Sequence, residues 1–502
     1  MKYYFLILAF FTLQAQAQNR FSTDTVLINI YNHQYNRNAA ALVPYLKYPV
    51  ERHRYHALMA FASVQDKAYA VYLFNALKSD ASPIIRKAAA FSIGQLYDTG
   101  NCDALMSCFK NEKVTEVKNN ILEALGKSAD YRTAQFFSGI DLKNIDTAMH
   151  IGIARCAYHS NRRKRITMEA KVYLTGLMTA TKNPEVKVLC QKVLNPSKPA
   201  AEIKKKPITY KALNDSFKKV GDDAYKRLAI MQRKDLPAAD WYKVAKSTNM
   251  VPVQTYAMEQ YLTLAKTVHD TIYASLLMSG NVAYVSLVCE RIRKDSVWKS
   301  TPEAGLEILN NAMQNLVIPR DYEAWLDVYK TKMQLQKQSF TYPNFFESGY
   351  QNPIDWQYVV KIPEDKQVTI TTNKGIIVLA LKVSESPASV ANFLKLVDSG
   401  YYNNKSFHRY VPDFVIQGGC PRGDGWGSLN WMQRSEFSSE LRYHPGSVGL
   451  ASAGKDSEGV QFFITHNYTT NLDGKYTIFA EVVKGMDVVN ALRVGDKIIS
   501  VQ

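Results

Sequence analysis

Arg409 and Gln417 share one stretch, Phe407-His408-Arg409-Tyr410-Val411-Pro412-Asp413-Phe414-Val415-Ile416-Gln417-Gly418-Gly419. A second stretch, Gly449-Leu450-Ala451-Ser452-Ala453, is followed by Gln461-Phe462-Phe463-Ile464. Together they gather one arginine, glutamines and several apolar side chains. A guanidinium is always charged and offers several N–H groups in a rigid fork. Its natural chemistry is donation to an atom whose lone pair or charge develops during a reaction, without a nucleophile. Cys102, Cys108, Cys156, Cys190, Cys289 and Cys420 are spaced neither for zinc nor for a dense disulfide scaffold. Buried free thiols in helices are expected, although an oxidising compartment could pair two of them. No metal and no cofactor is expected.

The surrounding residues read as strands. Val368-Thr369-Ile370-Thr371-Thr372 and Gly375-Ile376-Ile377-Val378-Leu379-Ala380-Leu381 flank Asn373-Lys374-Gly375, a hairpin signature. Pro387 to Val397 has the spacing of a short amphipathic helix, and short strands with Gly-rich connections continue to the C-terminus. Closure into an antiparallel β-barrel is the natural expectation.

From about residue 366 to 502 the chain resembles the prokaryotic branch of the cyclophilin family. The resemblance rests on Ser386-Pro387-Ala388-Ser389-Val390-Ala391-Asn392-Phe393, the Phe-His-Arg segment and the Gln-Gly-Gly turn. Gln461-Phe462-Phe463 and Leu472-Asp473-Gly474-Lys475 complete it. It implies a cyclophilin-like closed antiparallel barrel with flanking helices and peptidyl-prolyl cis-trans isomerase activity. It also implies that Arg409 donates to the prolyl nitrogen and that Gln417 orients it. Phe414, Val415, Phe463 and Leu472 would line a proline pocket, with Tyr476 at its edge. Ala451, Ser452, Ala453 and Gln461 would hold the substrate main chain. Phe462 is assigned to core packing, and His408 to a structural role bonding neighbouring backbone. Val415 replaces a methionine of many relatives, Ser452 an asparagine, and Asn471 the tryptophan that many eukaryotic members use to bind cyclosporin. Weak cyclosporin binding follows from that last loss.

The rest of the 502 residues must supply further domains. Ala62, Gly94, Gly126 and Tyr158 recur at intervals of 32, as do Leu58, Ala90, Leu122 and Ala154, and Phe61, Ile93, Leu125 and Ala157. A fixed period with apolar positions in register marks stacked units. Asp80-Ala81-Ser82-Pro83 before Ile84-Ile85-Arg86-Lys87, and Asn183-Pro184-Glu185-Val186, resemble the openings of HEAT repeats. The expected architecture is multidomain: an all-α, HEAT-like helical solenoid over 18–195, a further helical repeat or helical domain over 208–345, and the barrel over 366–502. A proline- and lysine-rich break at 195–207 reads as a linker. Trp241, Tyr256, Leu264, Leu276 and Trp325 are the expected core of the second helical part.

Lys2, the apolar run from Tyr3 to Phe11 and Ala15-Gln16-Ala17 read as a signal peptide over 1–17. The expectation is an exported, soluble, periplasmic or otherwise extracytoplasmic protein without a transmembrane segment. The formal net charge is +17, yet residues 366–502 hold 14 Lys and Arg against 12 Asp and Glu. Basicity therefore belongs to the helical part. Nucleic acid is not an expected partner. Proline-containing unfolded or partly folded clients are, with a protein partner on the helical repeats as a further possibility. Two other readings stand beside the isomerase: a non-catalytic proline-peptide binding scaffold, and a helical-repeat holdase chaperone.

Overall fold

The computed structural model describes residues 19–196, 205–268, 270–295, 302–343 and 352–502. The leader expected over 1–17 and most of the break at 195–207 lie outside the described residues. Eleven helices build the first part: α1 (Thr25–Tyr35), α2 (Ala39–Leu42), α3 (Glu51–Val64), α4 (Ala70–Ser79), α5 (Pro83–Gly94), α6 (Cys102–Asn111), α7 (Thr115–Ser128), α8 (Thr133–Ser138), α9 (His150–Arg162), α10 (Met168–Ala180) and α11 (Pro184–Leu194). Pro83 and Pro184 open α5 and α11, where a missing N–H costs nothing. The 32-residue positions fall on α3, α5, α7 and α9, and all of them are buried. Gly126 is required there: a Cβ would stand 2.5 Å from the Cys156 carbonyl oxygen on α9. A second periodic device braces the stack. Arg54 Nε donates to Asp80 at 2.8 Å and Arg86 Nε to Glu112 at 2.8 Å, one repeat further on.

Beyond residue 205, β1 (Lys206–Pro207) pairs in parallel with β2 (Lys234–Asp235), so the end of the expected linker carries a short strand. The helices that follow, from Tyr210–Val220 to Tyr322–Leu335, pack on a core of their own around Trp241, Leu276 and Cys289. Tyr256 and Trp325 are half-buried against it. Leu264 is a correction: it ends its helix and stands 45% exposed. All six cysteines are free and buried. Five lie in helices, but Cys420 departs from the expectation and sits in a loop.

The third part is an eight-stranded antiparallel sheet. Its strands are β3 (Gln367–Thr372), β4 (Gly375–Leu381), β5 (Arg409–Val411), β6 (Val415–Gly418), β7 (Ser447–Leu450), β8 (Phe462–Thr465), β9 (Ile478–Lys484) and β10 (Ile498–Val501), in the order β10-β3-β4-β9-β7-β8-β6-β5. The expected hairpin is β3–β4, and the expected amphipathic helix spans Pro387–Asp398. The sheet curls until its ends meet: Asn404 N–H donates to Ile498 O at 2.8 Å, and Phe407 N–H to Asp496 O at 2.9 Å. Ile370, Leu379, Ile416, Phe462 and Phe479 belong to its buried core, and Phe21, Leu27 and Tyr31 join the same apolar cluster.

The repeats do not stand apart from this barrel. Tyr31 of α1 donates to Ser384 O at 2.6 Å, and Ser63 of α3 accepts from Phe437 N–H at 3.1 Å. Glu123 of α7 pairs with Arg442, Tyr158 of α9 donates to Asn471, and Lys192 of α11 donates to Tyr468 O. From the other side, Tyr225 donates to Gly423 O at 2.8 Å and Thr255 to Asp424 at 2.8 Å. The barrel is held between the two helical parts. No helix among the described residues is long and apolar enough to cross a membrane.

Candidate active site

Strand pairing brings the two segments together. Arg409 on β5 lies opposite Gln417 on β6, and Gln417 lies opposite Phe463 on β8. Arg409 Nη1 donates to Gln417 Oε1 at 3.3 Å, and Gln417 Nε2 donates to Gln461 Oε1 at 3.0 Å. Gln461 Nε2 in turn donates to the carbonyls of Gly425 at 3.0 Å and Gly427 at 3.1 Å. The guanidinium is thereby tied through two amides to backbone. Partial burial draws its pKa down from the ordinary value, with Tyr476 opposing. An arginine so far above neutrality keeps its charge.

Beside this chain of bonds is a cavity of about 190 Å³ lined by Arg409, Phe414, Val415, Gln417, Ala451, Ser452, Phe463, Leu472 and Tyr476. Nine of the sequence-assigned residues thus meet at one place. Ala453 and Gln461 do not line it; they border an adjoining cavity with Gln417, Ala451 and Ser452. The apolar wall is Val415, Phe463 and Leu472, each less than a tenth exposed. Two residues packed behind it went unnoticed in the sequence, Tyr443 and Ile478. Tyr443 stacks on Phe463 with ring centroids 5.6 Å apart, and Tyr476 meets Phe463 edge-on at 5.8 Å. Gly449 makes the stack possible, because a Cβ there would stand 2.0 Å from the Tyr443 hydroxyl. No local signal marks Tyr443, since it reaches the wall from an irregular segment.

His408 corrects one expectation. Its ring nitrogens are buried and make no bond to neighbouring backbone. Burial pushes its pKa down to about 4, so the ring is neutral at physiological pH. Phe462 is core, as expected, with no exposure. Among the described residues no cluster of His, Cys, Asp or Glu is arranged to hold a metal ion.

Both parts of the chain resemble known proteins. Residues 367–499 match the family described as cyclophilin type peptidyl-prolyl cis-trans isomerase, and residues 39–134 match HEAT repeats. A peptidyl-prolyl cis-trans isomerase of Helicobacter pylori is 40% identical over 136 residues, covering 26% of this chain and 83% of the relative. One from Synechococcus elongatus is 38% identical over 138 residues, covering 27% of this chain and 94% of the relative. Peptidyl-prolyl cis-trans isomerase-like 1 of Homo sapiens is 43% identical over 145 residues, covering 27% and 84%. A curled antiparallel sheet with flanking helices, these motifs and these relatives together make the chain a cyclophilin-type peptidyl-prolyl cis-trans isomerase that carries N-terminal HEAT repeats.

Proposed function

We propose that Arg409 is the group that accelerates X-Pro rotation and that the cavity beside it receives the proline ring. Amide resonance raises a rotation barrier of about 18–20 kcal/mol. In the twisted transition state that resonance is lost and the prolyl nitrogen carries a lone pair. A fixed donor aimed at the lone pair binds the twisted state better than either planar ground state, and each ~1.4 kcal/mol of that preference is tenfold in rate. Val415, Phe463 and Leu472 grip the ring, while backbone at Ala451 and Ser452 holds the flanking chain. Nothing in this step transfers a proton.

The observation that carries the reading is the line of bonds from Arg409 through Gln417 and Gln461 to Gly425 and Gly427, facing the apolar wall of Val415, Phe463 and Leu472 across one cavity. A pure binding module has no use for a donor braced in this way. The clients are proline-containing segments of unfolded or partly folded proteins, met outside the cytoplasm; the leader-like residues 1–17 are the basis for the compartment. A holdase made of the helices alone is less favoured, because the barrel already occupies Tyr31, Ser63, Glu123, Tyr158 and Lys192. Exchange spectroscopy on a short Ala-Pro peptide tests the reading with wild type and Arg409→Ala. Acceleration by wild type, lost in a variant with unchanged circular dichroism, is expected. Peptide binding by folded wild type without acceleration would leave a recognition module instead.

A further inference from the structure

The cavity beside Arg409 has two neighbouring spaces. It shares Ser452 and Tyr476 with one of about 200 Å³, which Gln65 and Tyr97 of the repeats and Tyr342 of the second helical part also line. It shares Gln417, Ala451 and Ser452 with another of about 110 Å³, which Arg320, Asp321 and Glu323 of the second helical part also line. The three spaces thus share barrel residues as walls; the repeats and Tyr342 border one outer space, and the second helical part borders the other.

The two ends differ in charge. Lys455 and Lys475 border the first. Lys455 Nζ donates to Val64 O at 2.8 Å, and Lys475 Nζ lies 5.1 Å from the Tyr97 ring centroid. Neither ammonium has a carboxylate within salt-bridge reach among the described residues. At the other end Asp321 is neutralised by Arg320 at 2.7 Å. Glu323 is exposed at that wall and has no such partner among the described residues. Barrel residues add no charge to that wall.

We propose that this groove selects proline segments by charge order: with the proline beside Arg409, a cationic side chain lies at Glu323 and an anionic one at Lys455 and Lys475. The proposal rests on the assignment of the Arg409 cavity as the proline slot. An extended chain advances about 3.3 Å per residue and alternates its side chains, so residues within a few positions of the proline reach both ends. The helical parts then act as specificity-determining walls of the enzyme.

The test uses the full chain and five peptides with a central Ala-Pro: Lys before and Glu after, the reverse, both Lys, both Glu, and neutral. Exchange rates are read by NMR at low and high salt. One heteropolar order is expected to exceed the other by about fivefold, the scale of one or two exposed ion pairs, and to lose that lead at high salt. Glu323→Lys should shift the preference toward anionic residues on the side where wild type favours Lys. Glu323→Gln, read as the ratio of the two orders within the variant, should bring it toward one. A structural defect lowers all rates but inverts no preference. Equal rates for both orders, with the neutral peptide accelerated, would overturn charge selection alone. No acceleration of any peptide would overturn the proline slot and this inference with it.

Discussion

Arg442 is one of the barrel side chains that reach into the repeats, and Arg442→Leu tests whether that contact supports the site. Nη1 lies 3.1 Å from Glu123 Oε1, Nη2 donates to Asn120 Oδ1 at 3.0 Å, and the guanidinium stands 4.8 Å from the Phe91 ring centroid. Burial alone would raise Glu123, but Arg442, Lys127 and Arg155 hold it well below the carboxylate range. Removing one partner of a buried pair costs about 3–5 kcal/mol. Glu123 keeps Lys127 at 2.8 Å and Arg155 at 3.5 Å, so the lower end applies. A loss of about 3 kcal/mol corresponds to about a hundredfold change in a local opening equilibrium. The segment exposed is known: Tyr443 N–H donates to Asp473 Oδ1 at 2.8 Å, and Thr469 N–H to Tyr443 O at 3.1 Å. Hydrogen exchange at Tyr443 and Thr469 should accelerate by about two orders of magnitude, with α4 and α10 unchanged. The rate on an Ala-Pro peptide should fall as well, since Leu472 and Tyr476 ride on the same loop. Acceleration of exchange by less than about fivefold would show that the contact carries little energy and refute the reasoning.

Glu458 is fully buried, and burial pushes its carboxyl from 4.5 up to about 8 despite bonds from Thr477. The folded protein therefore holds this proton while the unfolded chain has released it. The stabilisation is present in full below about pH 4.5 and is lost as pH rises toward 8. Glu458→Gln should gain stability relative to wild type over that window, read as urea midpoints at pH 5 and pH 8; parallel pH profiles for the two proteins would contradict this. Gly449→Ala would set a Cβ 2.7 Å from Phe463 Cζ and still closer to the Tyr443 hydroxyl. Such overpacking costs about 1–3 kcal/mol and should lower kcat/KM by displacing Phe463. Adding Tyr443→Phe should restore part of the loss, and unchanged kinetics in the single variant would argue against a tight slot. Asn471 offers no indole to cyclosporin, and its amide oxygen already accepts from Tyr158 at 3.0 Å. Calorimetric titration should find weak binding; nanomolar affinity would refute it.

How much of this was legible depended on how far each signal had to travel along the chain. Arg409, Gln417, Phe414 and Val415 lie on one hairpin, where strand alternation and a short turn decide which side chains meet. The 32-residue register was legible because each unit repeats the same packing problem, and Gly126 answers it by letting α9 approach. The brace of Arg54 and Arg86 to Asp80 and Glu112 follows the same period and could have been found with it. Tyr443 and Ile478 could not: Ile478 is placed by the pairing of β9 with β7, and Tyr443 by an irregular segment that folds back onto Phe463. Leu264 has the residue type of a core position but ends its helix, where the apolar face has already passed. Glu323 and Lys455 carry no motif at all; they face the groove only because two helical parts close around the barrel.

That closure changes what the helices are for. The loop bearing Leu472 and Tyr476 touches three repeats. Tyr158 on α9 bonds Asn471, Lys127 on α7 donates to Asp473 O at 3.4 Å, and Gln95 beyond α5 packs against Gly474 so closely that a Cβ would meet it at 2.3 Å. Gly474 also has a φ of +69°, so the turn needs glycine for its backbone as well as for space. A shift in the stacking of α5, α7 and α9 would therefore act on the one loop that carries both Leu472 and Tyr476. An array joined to an enzyme only by a linker would transmit nothing of the kind. Here the helices that carry the 32-residue period also contact the loop bearing Leu472 and Tyr476, so the repeats brace one wall of the cavity.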